Sequence, residues 1–130
     1  MATWDLSTTK NHVLICNGSS CSRVGAEELT QAIRKEISDR DADDSIHTTR
    51  TRCNGRCQDK CVVISYPNGT WYKDLKPEDA SIFIDSLLAG KDYKEKISHL
   101  FNGEGFEHVN GVVTGIQKDK EKVSKVSKIL

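Results

Sequence analysis

Residues 49–72 read TRTRCNGRCQDKCVVISYPNGTWY. The run that opens this stretch, His47 to Arg52 (HTTRTR), alternates β-branched threonine with polar side chains, the composition of a strand. It leads directly into Cys53, which is followed at equal spacing by Cys57 and Cys61. Beyond the cysteines, Cys61 to Tyr66 (CVVISY) and Thr70 to Lys73 (TWYK) flank Pro67, Asn68 and Gly69. Asn-Gly between two strand-like runs is a short-range hairpin signal, so the stretch predicts a strand, a cysteine loop and an antiparallel strand pair.

Upstream, His12 to Cys16 (HVLIC) is a short apolar run ended by the turn formers Asn17, Gly18, Ser19 and Ser20. It predicts a buried strand that delivers Cys16 into a loop holding Cys21. From Gly25 to Ser38, the residues Ala26, Leu29, Ala32, Ile33 and Ile37 recur at helical spacing between charged positions, which predicts an amphipathic helix packed on a sheet. The acidic stretch DRDADDS, residues 39–45, has no apolar period and reads as a solvated loop.

Downstream, Pro77 suits a first helical turn and Glu78 and Asp79 suit its positive end. Ala80, Phe83, Ile84, Leu87 and Leu88 make one apolar face before Gly90 stops the helix. The order is β-α-β-β-β-α, of the α/β (α+β) class. Past Gly90 the patterning weakens: Tyr93 to Phe101 reads as a short helix, and His108 to Thr114 around Asn110-Gly111 as a minor hairpin. Lys118 to Leu130, with Val123, Val126 and Ile129 among lysines, reads as a frayed amphipathic helix or a disordered appendage. The expected organisation is an arm at 1–11, a domain at 12–90 and a C-terminal extension at 91–130.

A length of 130 residues suits one compact domain. Nineteen basic and nineteen acidic side chains give zero net charge, so a global attraction to nucleic acid or an anionic membrane is not expected. Neither an export signal nor an apolar run of the roughly 18 residues that a membrane span needs is present, which predicts a cytoplasmic protein. Five cysteines, an odd number, fit a disulfide framework poorly there, whereas thiols in a reducing compartment bind metal or do redox chemistry.

Cys16-x4-Cys21 and Cys53-x3-Cys57 put two cysteine pairs in two loops, each just past a predicted strand, where a sheet brings them together. Gly18 and Gly55 fall inside the pairs, so backbone N–H groups can approach cluster sulfur, although ordinary turns also want glycine. Arg23, Arg50, Arg52 and Arg56 lie near, and cations there would favour the reduced state of an anionic iron–sulfur centre and orient an acidic partner. Structural zinc accepts the same four thiolates at similar spacing, and on chemistry alone the two are close. A thiol–disulfide protein is weaker, because no Cys-x-x-Cys is present. His12, His47, His99 and His108 are scattered and sit in no motif with a nucleophile or carboxylate, so no substrate chemistry is expected.

HVLICNGSSCSRVGAEEL, residues 12–29, then residues 49–72, then the PEDA helix together resemble the thioredoxin-like [2Fe–2S] ferredoxins and the related cluster-bearing subunit of NADH dehydrogenases and hydrogenases. The resemblance covers 12–90 and implies a thioredoxin-like fold, a central mixed sheet with helices packed on it. It also implies a [2Fe–2S] cluster on Cys16, Cys21, Cys53 and Cys57. The implied activity is single-electron transfer between redox partner proteins, a reductase and an electron-accepting enzyme, by a chain that is often homodimeric. Asn54 departs from the leucine usual in the family's C-L-G-x-C loop, and Cys61 is a fifth cysteine read as a buried strand residue. Trp71 and Tyr72 are candidates for a docking surface, with core packing the favoured reading.

Overall fold

The computed structural model describes residues 3–112 and 114–126. Strand β1 (Asn11–Cys16) is followed by a helical turn α1 (Ser19–Arg23), helix α2 (Ala26–Asp39) and strand β2 (Ile46–Thr51). Then come β3 (Val63–Tyr66), β4 (Thr70–Tyr72), helix α3 (Ala80–Leu88), β5 (Ile97–Phe101), β6 (Phe106–His108) and helix α4 (Lys120–Val126). The strands form one mixed sheet in the order β2-β1-β3-β4-β5-β6. Only β1 and β2 run parallel, joined by α2 as a crossover; every other neighbour is antiparallel.

Register alone sorts the two faces of the sheet. Arg50, Ile15, Val63, Tyr72 and Ile97 form one row across it, and Thr49, Leu14, Ile64, Trp71, His99 and His108 form the adjacent row. Successive side chains point to opposite faces, so these rows belong to opposite sides. The first side, with Val13, Ile15, Val63 and Tyr72 fully buried or nearly so, packs against Leu29, Ile33 and Ile37 of α2 and Ala80, Phe83, Ile84 and Leu87 of α3. Tyr72 meets Phe83 edge-on with ring centroids 5.0 Å apart, a favoured aromatic geometry. Leu88, expected on the apolar face of α3, is instead exposed, because it falls a turn's fraction past Leu87. Gly90 stops the helix with φ +72°, its successor Lys91 donating its N–H to the Ser86 carbonyl at 2.8 Å.

The segment past Gly90 differs from its sequence reading. Tyr93 to Phe101 is not a helix but a 3-10 turn at Lys94–Lys96 followed by β5. The free edge of β4 supplies the reason: unpaired, it would leave the backbone of Trp71 and Tyr72 without partners, and β5 pairs there. The hairpin expected at His108 to Thr114 lies earlier in the chain, between β5 and β6. The Asn102 side-chain oxygen accepts N–H bonds from Glu104 (2.9 Å) and Gly105 (2.8 Å), and this turn outcompetes Asn110-Gly111. Asn110-Gly111 still bends the chain, with Gly111 at φ +85°, but no strand follows it among the described residues. Helix α4 forms part of the amphipathic segment expected at Lys118 to Leu130; Ile129 lies outside the described residues. Among the described residues no helix is long and apolar enough to cross a membrane.

Candidate metal centre

Cys16 is the last residue of β1 and is tied in from both sides. Its N–H donates to the Val62 carbonyl at 3.0 Å, and the next N–H, of Asn17, donates to the Thr51 carbonyl at the end of β2 at 2.8 Å. The Asn17 amide also reaches back to the Ile15 carbonyl (3.2 Å) and across to the Thr30 hydroxyl of α2 (3.3 Å). Thr30 is fully buried and donates to the Ala26 carbonyl at 2.8 Å. The residues after Asn17 were expected to be plain loop, but Ser19–Arg23 winds into α1 because Ser22 bonds twice backwards, N–H to the Gly18 carbonyl (2.8 Å) and Oγ to the Asn17 carbonyl (3.0 Å). Cys21 rides on that turn and is buried.

The second loop starts where β2 ends. Asn54, where the resemblance leads one to expect leucine, donates its amide to the Thr51 hydroxyl at 3.0 Å, a polar brace for the loop. Gly55 takes φ +80°, favoured by glycine alone, which aims its N–H at the Cys53 sulfur 3.3 Å away. Cys57–Asp59 forms a 3-10 turn closed by an N–H bond from Asp59 to the Arg56 carbonyl (2.8 Å) and by the Arg56–Asp59 ion pair at 2.8 Å. Asp59 is buried, and its carbonyl accepts the Asp74 N–H at 2.8 Å, which anchors the turn to the chain after β4.

The two loops meet at Gly18. A Cβ on this residue would stand 2.8 Å from the Cys53 Cα and 2.9 Å from its Cβ and N, inside any tolerable contact. Glycine is therefore required here for backbone approach; its φ of −62° is one any residue adopts. The result is that Cys16, Cys21, Cys53 and Cys57 line one surface cavity with Gly18, Ser19, Ser20 and Arg56. The Cys53 and Cys57 sulfurs lie 3.5 Å apart and are exposed, whereas Cys16 and Cys21 are buried. Cys61 does not line the cavity. It is 3% exposed, just before β3, with its thiol 3.7 Å from the Cys21 carbonyl as donor.

Burial is the main cause that pushes the Cys21 thiol up to about 12, with the neighbouring Cys16 thiol adding to it. Burial likewise raises Cys61. The Gly55 N–H favours the Cys53 thiolate, but the adjacent Cys57 thiol and burial together leave that group raised as well. Without metal these thiols hold their protons, and metal binding must expel them. The four thiols that line the cavity come as pairs on two loops, which fits a two-iron centre with a pair for each iron.

The family model for thioredoxin-like [2Fe–2S] ferredoxins matches residues 5–88. The chain belongs to the thioredoxin-like [2Fe–2S] ferredoxin family. A Priestia megaterium protein that bears the name "Putative 2Fe-2S ferredoxin" is 49% identical over 107 residues, covering 82% of this chain and 84% of its own. A 2Fe–2S ferredoxin of Aquifex aeolicus is 30% identical over 95 residues, covering 66% of this chain and 86% of its own. The crystal structure of the thioredoxin-like [2Fe–2S] ferredoxin from Aquifex aeolicus superposes with a TM-score of 0.63 at 27% identity, covering 68% of this chain and 96% of that one.

Family membership brings the [2Fe–2S] cofactor and the electron-carrier class with it. Of the arginines expected near a ferredoxin centre, Arg50 is held by Glu27 at 2.7 Å and Arg56 lines the cavity, while Arg23 and Arg52 are exposed. Tyr72 belongs to the core, its hydroxyl 3.3 Å from Asp92. Trp71 is half-buried against His99 and Phe106. Sequence reasoning missed the Asn17–Thr30 brace and the Gly18–Cys53 approach. A glycine between two cysteines signalled only that some backbone must come close. The histidines, scattered in sequence, meet as the cross-strand pairs His12–His47 and His99–His108 on the face away from the helices.

Proposed function

We propose that this chain carries single electrons between redox partner proteins, a reductase and an electron-accepting enzyme, on a [2Fe–2S] cluster held by Cys16, Cys21, Cys53 and Cys57. The observation that carries this reading is the convergence of these four thiols on one cavity, which buried Cys61 does not line. When bound, the cluster supplies one-electron redox chemistry and binds no substrate of its own. The chain's residues do the rest. The Gly55 N–H draws electron density from the Cys53 sulfur, which favours the reduced state, and Arg56, held by Asp59, stands at the cavity wall. Burial of Cys16 and Cys21 keeps water from one side, and exposure of Cys53 and Cys57 leaves the other open to a partner.

A module at residues 12–90 is the carrier, extended by a segment from 91 onward that adds β5 and β6 to its sheet. The protein works in the cytoplasm as a homodimer, without nucleic acid or membrane. Exposed Phe101, Phe106 and Tyr66 beside Trp71 support self-association, and sedimentation at micromolar concentration checks it: a monomer would remove that part of the proposal.

Anaerobic titration with a calibrated reductant tests the carrier. Bleaching of the visible bands should be complete after one electron per cluster and should reverse on oxidation. A centre that takes up no electron, or two through a thiol–disulfide couple, contradicts the reading.

A further inference from the structure

The partner's chemistry can be read from how charge is distributed about the exposed end of the site, an inference that rests on the electron-carrier reading. Cys53 and Cys57 are the exposed pair, so an electron enters or leaves on their side. Arg23 follows Cys21 by two residues, Arg52 precedes Cys53, and Lys60 follows the Cys57–Asp59 turn. All three are exposed, and none forms an ion pair with another described residue. The acids near them are otherwise engaged: Glu27 pairs with Arg50, Asp59 with Arg56, and Asp74 with Lys96. Glu28, whose carboxylate lies beside Gly25, is the one that offsets part of the positive rim. Val24, 53% exposed, adds an apolar spot beside Arg23 of the kind interfaces bury.

The opposite end of β1 and β2 is acidic. Residues 39–45 hold four aspartates, one of which, Asp39, pairs with Lys35; the stretch's own Arg40 is bound to Glu36 and Asp85, which leaves Asp41, Asp43 and Asp44 without an ion pair among the described residues. The Ser45 carbonyl accepts the N–H groups of Lys10 and Asn11, which fixes this loop where β1 begins, whereas Cys16 is where β1 ends. Six strand residues separate the two by roughly 17 Å. A chain of zero net charge thus has a positive and a negative pole, with the thiol cavity at the positive one. Such a dipole exerts little pull on a distant partner but turns the molecule as it approaches.

We propose that Arg23, Arg52 and Lys60, around the exposed Cys53 and Cys57, form a docking surface for an acidic patch on the partner redox protein, and that the polar charge distribution turns this end towards it. A rival cationic surface exists in Lys118, Lys120 and Lys122 of the C-terminal segment, so the test sets one against the other.

Cluster-loaded protein is titrated into a fluorescein-labelled polyglutamate peptide at low ionic strength, with binding read by anisotropy. R23E/R52E/K60E should weaken binding by about tenfold or more, and K118E/K120E/K122E, with the same change in charge, by about twofold or less. In parallel, the reduced protein is oxidised in a stopped-flow instrument. The triple reversal at the rim should slow hexacyanoferrate(III) and speed hexaammineruthenium(III), with the visible spectrum unchanged. No peptide binding by the unsubstituted protein, equal loss in both variants, greater loss in the lysine variant, or both oxidants shifting the same way would overturn the proposal. The spectrum reads the underlying assignment separately: a colourless protein that binds the peptide through the rim counts against the cluster and not against the docking surface.

Discussion

At Gly18 a single hydrogen atom in place of a methyl group lets two loops touch. A methyl there would meet the Cys53 Cα at 2.8 Å and its Cβ and N at 2.9 Å, and none of the three is the far end of a flexible side chain that can swing aside. Gly18→Ala should therefore push the loops apart and cut cluster occupancy several-fold while leaving the far-ultraviolet dichroism of the helices intact. Full occupancy in the variant would show that the contact is relaxed in solution. The cysteines divide on similar grounds. Serine at Cys16, Cys21, Cys53 or Cys57 should abolish the visible chromophore or alter it strongly, because each thiol lines the cavity. Cys61→Ser should keep the chromophore and lower thermal stability, since it puts a hydroxyl into a site 3% exposed. A normal spectrum at Cys57→Ser with loss at Cys61→Ser would reverse the assignment. Much of this was legible in the sequence, where two pairs followed two strand-like runs. Spacing places both Cys57 and Cys61 three residues from the cysteine before, so the preference for Cys57 came from the family resemblance; the burial of Cys61 agrees with its reading as a structural residue.

At the level of elements, β1, α2, β2, the β3–β4 hairpin and α3 were all legible, each from a period or a turn signal of its own. What escaped were α1, β6 and, most consequentially, β5. Tyr93, Ile97 and Leu100 recur at helical spacing, and nothing local says that the open edge of β4 will take this segment as a strand. Tyr93 is also tied back into the domain. Its hydroxyl donates to Asp79 at 3.0 Å at the start of α3, and its N–H donates to the Tyr72 hydroxyl at 3.3 Å. Tyr93→Phe should thus cost about 1 kcal/mol in chemical denaturation, the usual worth of one hydrogen bond. Phe83, fully buried and edge-on to Tyr72, carries much more: Phe83→Ala should cost about 3–5 kcal/mol. If the Tyr93 substitution proved as damaging as the Phe83 one, the segment past Gly90 would be integral to folding and not an added edge.

For the molecule as a whole, the sheet has a helix-covered face and a face that gathers all four histidines. Burial, and then the adjacent His47, hold His12 below its ordinary 6.5. Burial, and then Arg56, hold His99 below the same value. The unfolded chain therefore binds protons more readily than the folded one as the pH falls through this range. The stability these neutral imidazoles contribute is present above about pH 6.5 and is lost as the pH falls through their lower folded values. Melting temperature should drop between pH 7 and pH 5, and His12→Gln/His99→Gln should flatten that dependence; an unchanged slope would place the acid sensitivity elsewhere. Composition could show only that charge balances, because the poles arise from which loops lie at each end of β1 and β2, and the histidine face from strand register.

Metal and sulfide content of the protein purified without oxygen tests the central claim most directly. The account predicts a brown protein with two irons and two acid-labile sulfides per chain. A colourless protein with one zinc per chain and no sulfide would contradict it.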